Sequence, residues 1–407
     1  MNKNNYINLI TICTCLIPTS LIVGAAVSEF FVSLTAIIFL VYTLNYKDWG
    51  YYRKKIFIIL IAFSIYIVFG SLISEFPLNS LRSSAFYFRF SLLLMAIFFL
   101  LDNNKKFPQY FLWSIVIPLT VCFMYSMHEI VESIVFKNKI DSYRVSGFFG
   151  EELVQGGYFL RLLTLFVGVY TLVNNFFEKK KLIYYFIIFS SVLIILVSGE
   201  RSSIGLMIIF TFLYLFYSNL ELISKFKILI SFFLIITLSI LFLPGLKERV
   251  FDNTKRLLFE KGEVKIFSRG HQEHYISAVK MFKKNIITGV GVRNFRLECR
   301  KEEYRSIGVN SCTTHPHNTY IQFLAETGIL GFLFIFSFLF YIVKFLILNF
   351  FKILKKKKIY YSAAIFSIAI FVNIFPLVPT GNFFNNWLSV MYYLPLAFFF
   401  YSLEKQK

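Results

Sequence analysis

Charge is scarce in this sequence, and acidic charge scarcer still. Of 407 residues 16% are charged, with 22 Asp and Glu against 42 Lys and Arg. Soluble globular chains average about 25% charged and about 45–50% apolar residues. Here 57% of residues are hydrophobic, 20% aromatic, and the mean hydropathy is +0.67. A water-soluble enzyme and a disordered chain are thereby excluded. Five cysteines are too few for a secreted disulfide scaffold, and no Cys/His spacing resembles a zinc site. The chain also lacks an Asp-x-Asp motif, an internal repeat and a low-complexity linker.

The apolar residues come in runs of roughly 18–22, the length that crosses a hydrocarbon core. A window of about 19 residues picks out roughly twelve spans: 6–24, 26–45, 56–74, 83–101, 108–128, 157–177, 182–199, 203–220, 228–244, 328–350, 359–378 and 384–402. The expected fold is an all-α polytopic membrane protein with one long extracytoplasmic loop. Its expected parts are N-terminal transmembrane helices (1–128), central helices with an outer loop at 129–156 (129–244), a long loop carrying a catalytic segment (245–327), and C-terminal helices (328–407). No small-residue cleavage site follows the first apolar run, which reads as a retained helix rather than a signal peptide.

The net charge of +20 does not describe a nucleic-acid-binding face. Lysines and arginines cluster in alternate loops, at Lys47 and Arg53 to Lys55, Lys105 and Lys106, Lys179 to Lys181, Lys225 and Lys227, and Lys355 to Lys358. That alternation is a positive-inside pattern. It puts both termini in the cytoplasm and the loops 129–156 and 245–316 outside. All five histidines, His128, His271, His274, His315 and His317, then fall on the outer side. So do Arg144, Arg161, Arg201, Arg269, Arg293, Arg296, Arg300 and Arg305. Lysine dominates one side. Arginine, whose planar fork captures phosphate, and histidine, which titrates near neutrality, dominate the other.

Within the long loop, 272–284 reads as an amphipathic helix with Tyr275, Ala278, Val279, Met281 and Phe282 on one face. Thr288-Gly-Val-Gly-Val292 reads as a turn, not a phosphate loop. Cys299 and Cys312 both lie in this loop. The sequence leaves open whether they pair or remain thiols; pairing would contribute roughly 3 kcal/mol on chain-entropy grounds. The run Val197-Ser-Gly-Glu-Arg-Ser-Ser-Ile204 sets Glu200 and Arg201 between two apolar spans. It is either a wet hairpin tip or a cation facing a cavity, and Arg161 in the preceding span is similar. Arg89, mid-span, carries no assignment. In Thr313-Thr-His-Pro-His-Asn-Thr-Tyr320, His317 and Asn318 sit at an expected helix N-terminus. Free amides there favour an anion and keep the imidazole neutral, as a general base requires. Capping alone is the alternative role.

His317-Asn318, nine residues to Gly328, then Gly331, resembles the His-Asn/Ser/Gln-x9-Gly-x-x-Gly pattern of the O-antigen ligase family, whose superfamily also includes the O-antigen polymerases. Ser198-Gly-Glu-Arg-Ser-Ser, Arg144-Val-Ser-Gly-Phe-Phe-Gly-Glu-Glu152 and Ser268-Arg-Gly-His-Gln-Glu-His-Tyr275 with Gly289-Val-Gly291 resemble further segments of that family, over about 140–345. The resemblance implies a GT-C-like glycosyltransferase of the bacterial inner membrane, its site facing the periplasm. The donor would be a glycan on undecaprenyl diphosphate and the acceptor a hydroxyl of lipid A–core or another glycan. Catalytic roles fall to His317, Arg201 and Arg269. Substrate contacts fall to Arg144, Arg161, His271, His315, Asn318 and Tyr320. Many relatives carry an arginine at the position of His271, so Arg269 and His271 are alternatives for the second phosphate contact. With arginines on the leaving group no metal or other cofactor is expected. A polymerase differs only in acceptor. A transporter or flippase predicts a repeated half-architecture, which the sequence does not show, and a non-catalytic scaffold leaves the one-sided histidines and arginines unexplained.

Overall fold

A computed structural model describes residues 1–136, 144–173, 181–242, 244–260, 263–264, 267–305 and 311–405. Its helices are α1 (Lys3–Val23), α2 (Ala25–Tyr46), α3 (Lys55–Leu72), α4 (Pro77–Ser84), α5 (Arg89–Asn103), α6 (Phe107–Phe136), α7 (Gln155–Tyr170), α8 (Lys181–Val197), α9 (Arg201–Tyr217), α10 (Leu222–Phe242), α11 (Pro244–Lys247), α12 (Asn253–Leu258), α13 (Arg269–Lys284), α14 (Phe295–Glu298), α15 (Thr319–Leu354), α16 (Tyr361–Asn373) and α17 (Asn386–Glu404). Among the described residues the only β-structure is a two-residue antiparallel pairing of Phe259–Glu260 with Glu263–Val264.

Among the described residues seven segments are long and apolar enough to cross a membrane: α1, α2, α3, Pro77–Asn103, α6, α10 and α15. The shorter apolar helices α8, α9 and α16, with α7 and α17, coincide with the other five expected spans. The chain is a polytopic, predominantly helical integral membrane protein. The ends of the expected spans 157–177 and 228–244, and Lys179 and Lys180, lie outside the described residues.

Helices that are apolar all round belong in a core or in lipid, and both cases occur here. Every residue of α5 from Arg89 to Leu100 is buried, and α7, α16 and α17 are buried along most of their lengths. These four form the centre. Only 11% of the α10 window and 22% of the α15 window are buried within the bundle. Their exposed Leu, Ile and Phe side chains are solvated by hydrocarbon instead of water.

Two expected boundaries move. Helix α6 runs eight residues beyond 128, to Phe136, and α15 begins at Thr319, so the parts expected to end at 128 and 327 are divided within continuous elements. Inside α15, Gly328 leaves helical geometry (φ 63°, ψ −164°). A Cβ there would collide with the Ile287 carbonyl. The segment 286–291 crosses at this point: Ile329 N–H donates to the Ile286 carbonyl (2.7 Å), Val290 N–H to Ala325 (2.9 Å) and Gly291 N–H to Glu326 (3.0 Å). The glycine-rich stretch is thus a clasp that fixes the long loop onto the start of α15.

The loop has its own small core of Ala278, Met281, Val290, Phe295, Cys299, Tyr304 and Ala325. The expected amphipathic helix is α13, with Ala278 and Met281 buried and Lys280, Lys283 and Lys284 exposed. Cys299 and Cys312 form a disulfide, with Cα atoms 5.0 Å apart. Arg89 Nη2 donates to Glu29 (2.8 Å) and to Asn386 (2.8 Å), tying α2, α5 and α17 together. That contact gives the mid-span arginine a structural role.

Candidate active site

Helix α8 ends in the turn Ser198-Gly199-Glu200, and α9 begins at Arg201. Gly199 adopts φ 64° because the connection between the two helices has only three residues. Three arginines from separate segments converge on this tip. Arg144 Nε donates to the Ser198 carbonyl (2.9 Å), and Arg249 Nε donates to the Gly199 carbonyl (2.8 Å). Arg201 Nη1 reaches Thr254 Oγ1 (3.3 Å). The positive charges repel one another: Arg249 acts unfavourably on Arg201, and both act so on Arg144. A cavity of about 270 Å3 is lined by Arg201, Arg249, Asn253 and Arg256. Such a cavity is suited to an anion carrying more than one charge.

Glu200 is committed elsewhere. Its carboxylate accepts Gly156 N–H (2.7 Å), Gly157 N–H (3.1 Å) and Ser203 Oγ–H (2.9 Å). It therefore caps α7. Burial raises its pKa, opposed by these hydrogen bonds and by Arg161 and Arg144. Arg161 lies in the second turn of α7, its Nη1 donating to Gly157 O (3.1 Å) and its guanidinium 6.0 Å from the Trp387 ring centre. It supports the tip from within the bundle.

Four imidazoles gather beside the arginines. The His317 ring lies 4.1 Å from His315, 5.5 Å from His271 and 5.5 Å from His274, centre to centre. Arg201 acts directly on His271, lowering its pKa after burial has done so. His271 links the two clusters: one neighbour is Arg201, the other His317. Its Nδ1 bonds Ser268 Oγ (2.9 Å). Both nitrogens of His315 are engaged, Nδ1 with Thr314 Oγ1 (2.9 Å) and Nε2 with the Thr380 carbonyl (3.1 Å). Since a carbonyl only accepts, His315 carries its proton on Nε2, and Nδ1 accepts from the threonine.

His317 differs from the other three. Among the described residues no hydrogen bond engages its ring. Its backbone is left-handed (φ 57°) and held there by Thr380 N–H donating to its carbonyl (3.0 Å). A non-glycine residue in that region costs about 1–3 kcal/mol, a strain that recurs at functional sites. Burial, then the neighbouring His315, His271 and His274, push its pKa down to about 3, and His315 is pushed down to about 4. Both are neutral at physiological pH.

The physical basis for that neutrality differs from the one expected. The amides at the start of α15 are not free to bind an anion, because Asn318 Oδ1 accepts Tyr320 N–H (3.0 Å) and Ile321 N–H (3.1 Å). Asn318 Nδ2 donates to Pro376 O (2.8 Å), and Tyr320 Oη–H donates to Ile374 O (2.6 Å). Asn318 and Tyr320, expected to contact substrate, are engaged in holding α15 to the segment that follows α16. Desolvation and crowding of imidazoles, not a helix terminus, hold His317 neutral.

Arg269 is also placed differently from expectation. It is exposed at the start of α13 and pairs with Glu273 on the same helix (3.4 Å). Of the two alternatives for the second phosphate contact, His271 is the one the fold brings to Arg201 and His317. The sequence reading overlooked Arg249 and Arg256 as cavity residues, His274 as a neighbour of His317, and Arg296, whose charge acts on His315. Arg249 lies just past α11, where nothing in the local sequence pattern separates it from a solvated loop charge. Residues 186–336, which span α8 to the middle of α15, match the family described as O-Antigen ligase. No curated protein matches the chain.

Proposed function

We propose that this chain, whose residues 186–336 match the family described as O-Antigen ligase, is a glycosyltransferase that moves a glycan from undecaprenyl diphosphate to a sugar hydroxyl of lipid A–core. The observation that carries the reading is the link Arg201–His271–His317: cations and a neutral imidazole, far apart in sequence, meet at one end of the bundle. The acceptor hydroxyl gives its proton to His317 as its oxygen forms a bond to the donor's anomeric carbon. The bond from that carbon to the diphosphate oxygen breaks, and the electron pair leaves with the diphosphate. Arg201 and Arg249, with Arg144 behind them, stabilise the charge that develops there, which is usually the larger contribution to rate. A single displacement inverts the anomeric centre. The membrane is the bacterial inner membrane, with the site on the periplasmic face and both termini in the cytoplasm.

The test is the purified full-length protein in nanodiscs with a defined undecaprenyl-diphosphate glycan and two acceptors, lipid A–core and a second donor molecule. Transfer to lipid A–core with an inverted anomeric signal by NMR is the expected result. Elongation of the lipid-linked glycan would assign the polymerase reaction of the same superfamily. Absence of both products would overturn the reading.

A further inference from the structure

Away from the arginines and histidines, a cavity of about 550 Å3 opens where α9 ends and α16 begins. Lys225, Lys356, Lys357 and Lys358 line it together with Ser218 and Ser362. Among the described residues no carboxylate lines it and none of these lysines forms an ion pair. Lysines elsewhere do find acids: Lys54 pairs with Glu404 and Lys405 with Asp102 (2.9 Å). Helix α16 starts here from Tyr360 with no side-chain cap, and its first residues Tyr361 and Ser362 line the cavity. Four ammonium groups, two hydroxyls and an uncapped helix start therefore converge on one cavity.

We infer that this cavity binds a phosphate-bearing anion, the class to which the headgroup of an anionic phospholipid belongs. Ammonium groups act as point charges that suit phosphate without demanding bidentate geometry, and helix amides add directed donors. Basic pockets between transmembrane helices take such headgroups. The site is separate from the proposed reaction centre and does not depend on its assignment.

The experiment is native mass spectrometry of the full chain released from nanodiscs containing phosphatidylglycerol, with inorganic phosphate as a second probe. The Lys356→Gln/Lys357→Gln/Lys358→Gln variant is expected to retain roughly tenfold less phosphatidylglycerol than wild type. A Lys105→Gln/Lys106→Gln control should retain it unchanged. Ser362→Phe keeps every lysine but fills the cavity, and should lose lipid as the triple variant does. Retention that survives added phosphate assigns the lipid headgroup. Displacement by phosphate, with phosphate binding lost in the same variants, assigns a soluble phosphate compound to the same site. Equal binding of both probes by wild type and both cavity variants, or equal loss in the control, would overturn the inference.

Discussion

At one end of the bundle Lys54 and Lys405 pair with Glu404 and Asp102 through partly exposed side chains, and Lys356 to Lys358 line an open cavity. At the other end Arg144 and Arg249 donate to backbone carbonyls of a tight turn, and Arg201 acts on His271, which packs against His274 and His317. Both ends are positive. The lysine end uses charge that tolerates water and many geometries, which is sufficient for orienting helices. The arginine end fixes direction, because each guanidinium is anchored by one edge and presents the other. A site that must hold a leaving group needs the second kind. A chain that must only sit correctly in a bilayer needs the first.

The contrast predicts unequal sensitivity to substitution. His317→Ala should reduce glycan transfer by about a hundredfold to ten-thousandfold, the range for loss of a general base, with insertion unchanged; near-normal product formation would remove His317 from catalysis. Arg201→Lys keeps the charge and loses the fork, and transfer should fall by about tenfold to a hundredfold. Were lysine to serve equally well there, the two ends would not differ in kind. Gly328→Ala forces a Cβ onto the Ile287 carbonyl at φ 63°, and should lower thermal stability by about 1–3 kcal/mol. By contrast Lys54→Gln, which removes an exposed pair, should cost no more than about 1 kcal/mol and leave transfer within twofold.

The histidine end also predicts a pH signature. His317 is neutral in the folded protein down to about pH 3, against an ordinary value near 6.5 when unfolded. The transfer rate should therefore show no loss near pH 6.5 as the medium is acidified. Stability moves the other way. Below about 6.5 the unfolded chain takes up protons that His317 and His315 refuse, so folding stability declines as pH falls from about 6.5 toward 3–4. A rate profile with an acid limb at 6.5 would mean that solvent reaches His317 freely.

Much of this was legible beforehand because it rests on periodicity and composition. Run length and loop parity gave the span positions, and His317, Arg201 and the two cysteines stood out by type and setting. What was not legible depended on long-range packing. The seated and lipid-facing helices α5 and α10 read alike, because hydrocarbon and protein interior are equally apolar. Asn318 looked like a ligand, yet its amide is consumed by capping. Arg249 reaches Gly199 only because α10 and the turns after it bring it back 50 residues later. Gly328 was legible as a motif position, but its reason, the clasp at 286–291, lies in a segment 40 residues upstream.

The most direct test separates holding the diphosphate from taking the proton. Binding of undecaprenyl diphosphate without glycan should be measured on the wild type, Arg201→Lys and His317→Ala in nanodiscs. The account predicts about tenfold weaker binding for Arg201→Lys and binding within twofold of wild type for His317→Ala. Unchanged binding by Arg201→Lys, or loss confined to His317→Ala, would contradict it.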